Sequence, residues 1–319
     1  GGGRATGDGR GEDIKSPGRS GPATRGGGGC TTLFGYAAAV LKEPDLRQKA
    51  KLTLEAYQLW EKKQLPLGDP ATAEPPPDKP ARPSNCQVVE PGKAGKRGRG
   101  GSKASRIAMI HSFAHIESYA IDLSWDIIIR FVSQGNEGLK LPSEFYGDWL
   151  KVAADEALHF NIWADRLIEL GSQYGALPVH DGLWHSAMDS KDSLLARLAV
   201  IHMVHEARGL DVTPKSEARL RSGGDKKSAE LLHQIYVDEI THVTAGVKWF
   251  KYMCTKTEQK PIPRFHEIVR KRFSGNLKPP FNDEARCKAG FTKEWYMPLI
   301  SRGGQRSIAR SAPKCGSKQ

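Results

Sequence analysis

Glu-x-x-His occurs three times in this 319-residue chain, at Glu156/His159, Glu230/His233 and Glu239/His242. Three residues span nearly one helical turn, so on a helix each pair presents a carboxylate and an imidazole on the same side. What chemistry a pair can do depends on where that side faces. At about 100° per residue from Glu239, Leu232, Ile235, Tyr236, Val243, Gly246 and Phe250 all fall within about 60°, and His242 lies about 60° away. This pair points into an apolar stripe. Glu230 lies about 180° from Glu239, level with Lys248, so it belongs to a solvated face and is set aside. Around Glu156 lie Trp149, Val152, Phe160, Trp163 and Leu167, with Asp165 and Glu169 opposite. Glu156 and His159 therefore also face inward.

Two further helical segments each direct one carboxylate inward. Glu117 shares its face with Ile110, Phe113, Ile121, Ile128 and Phe131, and Glu206 shares its face with Leu195, Ala199, His202 and Met203. Buried carboxylates left unpaired cost several kcal/mol each, and these faces offer too few Lys or Arg to compensate. Two divalent cations would neutralise four carboxylates, with His159 and His242 completing the shells. Mixed oxygen and nitrogen donors suit two iron ions, with manganese as the alternative metal. The set is internally symmetric: Glu117 precedes Glu156 by 39 residues and Glu206 precedes Glu239 by 33. Glu plus Glu-x-x-His from each of two helix pairs is the di-metal carboxylate pattern of ferritin-like bundles.

Neighbouring residues extend the pattern. Asp155 and Asp238 immediately precede the two inward Glu-x-x-His motifs. A metal-bound imidazole commonly donates its second N–H to a carboxylate, and each Asp is expected to serve the His of the opposite pair. A helix-flank Asp in water is the alternative. His202, four residues before Glu206, reads first as a core histidine with a hydrogen bond, and second as a pocket residue or seventh ligand. His111 and His115 lie off the Glu117 face and are not assigned as ligands. His180 and Trp184, with Arg208 and Asp211, are candidates for a pocket mouth, for which packing and capping roles serve as well.

These residues need long helices to hold them. Apolar periodicity predicts an amphipathic helix near 44–63, then helices at about 104–133, 142–170, 190–209 and 225–256. Pro142 and Ser143 open the second of the four and Gly171 closes it. Gly209 and Pro214 are expected to stop the third, and the GGD turn at 223–225 to precede the fourth. Residues 172–190 form the long middle connection. The predicted fold is all-α, a ferritin-like four-helix bundle with a crossover, an N-terminal helix and a C-terminal helical extension. The expected divisions are a Gly-rich disordered tail (1–32), an N-terminal helix with a Pro-rich and basic linker (33–103), the di-metal bundle (104–257), an extension packed on it (258–300) and a disordered tail (301–319).

Composition narrows the classes. The net charge of +12 suggests nucleic acid, but it divides as +7 over 1–105, −4 over 106–263 and +9 over 264–319. The excess lies in the flanks, so a nucleic-acid partner is a weak expectation. Five scattered cysteines without a CxxC pair argue against a disulfide framework and point to the cytoplasm or another reducing compartment. No apolar run approaches the ~20 residues of a membrane span. The chain does not begin with Met, so it is read as a fragment or processed form from which a targeting signal could be missing.

Several stretches carry a resemblance to a known family: HSFAHIESYAIDL (111–123), FYGDWLKVAADEALHF (145–160), LGSQYGALPVHDGLW (170–184), HEARGLDVTP (205–214) and DEITHVTAGVKWF (238–250). FNDEARCKAGF (281–291) and ARPSNCQVVEP (81–91) add to it, and the likeness spans roughly 33–300. They resemble the ferritin-like family labelled domain of unknown function 455. That resemblance implies a fold and metal ligands but no reaction. A more distant relative by fold is the tRNA hydroxylase that oxidises a hypermodified adenosine with a di-iron centre. The expected function is an O₂-dependent oxidoreductase or hydroxylase acting on a small molecule or modified nucleoside, with the electron donor unspecified. The alternatives are a non-catalytic iron- or manganese-binding structural protein and an RNA-associated protein acting through its basic flanks.

Overall fold

The computed structural model describes residues 1–3, 30–95, 98, 100–132 and 139–300. The expected tails lie almost wholly outside these residues. Among the described residues the chain is all-helical, with two isolated β-bridges, Val88 to Val179 and Leu277 to Ile300, as the extended pairings. Among the described residues, no helix is long and apolar enough to cross a membrane.

Four long helical stretches surround the inward-facing residues. They are α3 (Lys103–Arg130), α4 (Ser143–Glu169), a composite third helix, and α8 (Lys226–Lys256). Between α4 and the third helix, the crossover carries a short α5 (Gly182–Met188). The third helix consists of α6 (Leu194–Ala199), a π-helical turn (Val200–His205) and α7 (Glu206–Ser222). α3 packs against α4, α7 against α8, and α4 and α6 both reach α8. Gly171, at φ +73°, ends α4 as expected. Asp225 caps α8 by accepting from Ser228 N at 3.0 Å, while Arg166 of α4 holds the same carboxylate at 2.9 Å.

The third helix departs from expectation. It begins at Leu194, where Ser193 caps it by accepting from Ala196 N, and it runs through Gly209 and Pro214 to Ser222. Proline removes one helical hydrogen bond and frees the carbonyl four residues earlier. Here that carbonyl, Leu210 O, accepts from Asn282 Nδ2 at 3.2 Å, so a partner distant in sequence satisfies it. Inside the π-turn the helix swells toward α8. A Cβ on Gly246 would stand 2.1 Å from His202 O, so only glycine permits this approach.

The N-terminal region holds two helices where one is expected. α2 (Leu46–Glu61) matches the amphipathic segment, and α1 (Leu33–Lys42) precedes it, packed on α3. Leu33, Phe34, Tyr36, Val40 and Leu41 are all buried. On α2, Lys49 pairs with Asp122 of α3 with both side chains fully buried, and Arg82 reaches the same carboxylate at 2.5 Å. One turn on, buried Asp126 binds Arg197 of α6 and Arg130. These pairs fix α3, whose residues are buried almost all round between Met109 and Ile129. After α8 come α9 (Pro261–Arg272), α10 (Asp283–Lys288) and α11 (Lys293–Tyr296); Phe265 and Trp295 pack against Phe250 of α8, and Phe291 packs against Phe265.

Candidate metal centre

Six inward residues from four helical stretches converge in the interior. Glu117 comes from α3, Glu156 and His159 from α4, Glu206 from the first turn of α7, and Glu239 and His242 from α8. They form two overlapping groups, Glu117–Glu156–His159–Glu239 and Glu156–Glu206–Glu239–His242, in each of which one ligand atom per residue lies within 4.8 Å of the others. Glu156 and Glu239 belong to both groups. Each group then adds one carboxylate and one imidazole of its own. The two imidazole rings are 5.8 Å apart.

The expected cross-pairing of aspartates is present. His159 Nε2 donates to Asp238 Oδ2 at 3.1 Å, and His242 Nε2 donates to Asp155 Oδ2 at 3.3 Å. In the neutral ring, an Nε2–H held this way leaves Nδ1 as the lone-pair nitrogen. Both Nδ1 atoms point at the shared carboxylates: His242 Nδ1 is 3.0 Å from Glu156 and 3.6 Å from Glu239, and His159 Nδ1 is 3.4 Å and 3.8 Å from the same two. Yet His159 Nδ1, His242 Nδ1 and Glu156 Oε2 are buried and make no hydrogen bond. Buried polar atoms are seldom left unpaired, and three aimed at one point fit a pair of cations as their partners.

The electrostatics agree. Burial pushes the Glu117 and Glu206 carboxyls well above the ordinary range, and the neighbouring Glu156 and Glu239 push the same way. Burial opposes a charged imidazole, but Asp238 and Glu156 raise His159 to about 10, and Glu156 and Glu239 hold His242 well above its usual value. Glu156 is held low, because the two histidines outweigh the effect of its burial. Without metal, these shifts favour the protonated forms of Glu117, Glu206 and the two histidines. Divalent ions would take the place of those protons.

Glu230 and His233, the pair set aside, are exposed, and His233 lies 3.3 Å from Glu217. His202 sits in the π-turn, buried against Trp149 with ring centroids 4.2 Å apart, and neither ring nitrogen has a hydrogen-bond partner. The expected core histidine is there; its expected hydrogen bond is not. Burial holds it well below its usual pKa, so it is neutral.

A cavity of about 810 Å³ opens onto the cluster between α3, α7, α8 and the crossover. Glu117, Glu156, Glu206 and Glu239 all border it. Its walls are mostly apolar, with Phe113, Ile116, Leu123, Leu232 and Ile235 prominent. Of the four residues expected at a pocket mouth, His180 and Arg208 line this cavity. Trp184 does not: it is buried in a side cluster with Tyr119 and donates to Asp78 O at 2.8 Å. Asp211 does not either, since Arg286 clamps it through bonds of 2.8 and 2.7 Å. Sequence reasoning missed three cavity histidines, His111, His115 and His205. His111 accepts from Gly175 N, and His115 bridges Tyr174 Oη and His180 O, so both moor the crossover to α3.

Comparison with known proteins adds a family. A protein of Haemophilus influenzae, described as an uncharacterized protein, is 31% identical over 265 residues, covering 82% of this chain and 92% of its own length. No solved structure matches. The family described as "Protein of unknown function (DUF455)" matches residues 42–297, and the chain belongs to that family.

Proposed function

We propose that this protein is a ferritin-like four-helix bundle holding two iron ions, and that it acts as an O₂-dependent oxidoreductase or hydroxylase. Glu117 and His159 would serve one ion, Glu206 and His242 the other, with Glu156 and Glu239 shared. Bound there, a pair of iron ions supplies the redox chemistry that activates O₂ toward an organic substrate.

The protein's own residues perform the remaining tasks. Asp238 and Asp155 fix the tautomer and orientation of the two imidazoles, so Nδ1 is presented to the centre without reorganisation. The apolar walls exclude water and hold a substrate beside the carboxylates. His202 and Trp149 back the cluster with neutral, closely packed rings.

The cavity carries the enzymatic reading over the structural one. A metal site that only braces helices has no use for about 810 Å³ of space against its ligands. Small-molecule sites commonly fall in the range of about 300–1,000 Å³. The test is anaerobic reconstitution with ferrous iron followed by exposure to air, read by optical absorption. Oxidation within seconds to minutes is expected, whereas a ferrous protein inert for hours would favour the structural role.

A further inference from the structure

The cavity is chemically polarised, and its polarity describes what it holds. Its floor is the carboxylate cluster and its walls are apolar. Toward solvent, where its side chain is half exposed, Arg208 is the one Lys or Arg among the described lining residues. Its guanidinium donates to Lys278 O at 3.2 Å and lies 3.6 Å from Asp211. Asp211, however, is already balanced by the bidentate Arg286. Arg208 therefore keeps an uncompensated charge, with its side chain half exposed at the opening.

Two further observations mark the same opening. Ile116 on α3 and Val212 on α7 both line the cavity and are among the few large apolar side chains exposed in the described residues. They give the opening an apolar rim. Gly209 follows Arg208 inside α7, where glycine weakens a helix. Neither backbone nor packing calls for it: its φ is not positive, and a Cβ there would meet nothing within 4 Å. Its missing side chain leaves space beside the guanidinium. Along the wall, Ser112 Oγ is buried without a partner and offers one more polar anchor.

We infer that the cavity takes an amphiphilic anion: an apolar, C–H-rich body lying toward the carboxylate cluster, with a carboxylate or phosphate head on Arg208. It rests on the oxidising reading of the centre only in naming this ligand a substrate, since binding is measurable without turnover. The full-length, metal-loaded protein would be saturated with a fluorescent fatty-acid analogue and titrated with dodecanoate, dodecyl phosphate, dodecanol and dodecyltrimethylammonium. Both anions should displace the analogue about tenfold or more better than dodecanol, the expected worth of a charge-assisted contact, and the cation should not compete. Preference between the two anions would name the head group. Arg208→Ala should erase the advantage of the anions over dodecanol. Gly209→Leu should block every ligand while leaving helicity and metal content intact, which keeps the test decisive should Arg208→Ala fold poorly. Equal displacement by dodecanol and the anions, or full binding to the Gly209→Leu protein, would overturn the inference. Ligand binding of the expected kind by a protein inert to O₂ would sink the oxidising reading and leave this one standing; O₂ reactivity without ligand binding would do the reverse.

Discussion

The two halves of the cluster repeat the same residue types but not the same support. On one half, His159 leans on Asp238, a carboxylate about 50% exposed on α8. On the other, His242 leans on Asp155, which is only 11% exposed and is gripped by Lys151. Burial would raise Asp155, yet His242 and Lys151 hold it below the usual carboxylate range. The second half also abuts the π-turn with His202 and Trp149. A repeated motif thus sets ligand identity, while the surroundings of each copy set how firmly the ligand is held. Water can stand in for Asp238 much more readily than for Asp155.

Several substitutions probe that asymmetry. Glu156 belongs to both halves, so Glu156→Ala should cost both ions, whereas Glu117→Ala or Glu206→Ala should cost one; metal content per chain distinguishes the cases. Equal loss in all three would deny that the two halves share a carboxylate. Outer partners of metal-bound histidines are commonly worth about 10–100-fold in affinity. Asp155→Asn should approach the upper end and Asp238→Asn the lower, read by competition with a chelator. The reverse order would mean that exposure does not govern the support.

Protons give a third probe, on the cluster as a whole. Burial and the neighbouring carboxylates shift Glu117 and Glu206 upward, and the carboxylates around them shift His159 and His242 upward, so all four are biased toward their protonated forms without metal. Loading divalent ions should release protons, and affinity should rise with pH. Calorimetry in buffers of different ionisation enthalpy counts them. Release of none would mean the ions bind elsewhere. The smallest effect belongs to the exposed motif: Glu230→Ala with His233→Ala should leave metal content unchanged and stability within about 0.5 kcal/mol.

Much of this site was legible because helical periodicity separates inward from outward carboxylates before any fold is known. The 180° offset between Glu230 and Glu239 was enough to tell an exposed pair from a buried one. What escaped notice depends on partners distant in sequence. α1, LFGYAAAVLK, is short and apolar on nearly every side, with no charged residue before Lys42 to mark a solvent face. The run of α7 through Pro214 depends on Asn282, and Gly209 read as a stop because an open cavity leaves no trace in local sequence. Nothing in the local sequence marks Asp122 and Asp126 as buried, because their partners Lys49 and Arg197 come from α2 and α6. The cavity itself draws on α3, α7, α8 and the crossover, and no single segment announces it.

All of this turns on whether the six convergent side chains hold two ions. Elemental analysis of the full chain, reconstituted anaerobically with ferrous iron and freed of excess metal, would decide it. Two equivalents per chain are expected, falling to one in Glu206→Ala. One equivalent or none in the unaltered protein would contradict a dinuclear centre.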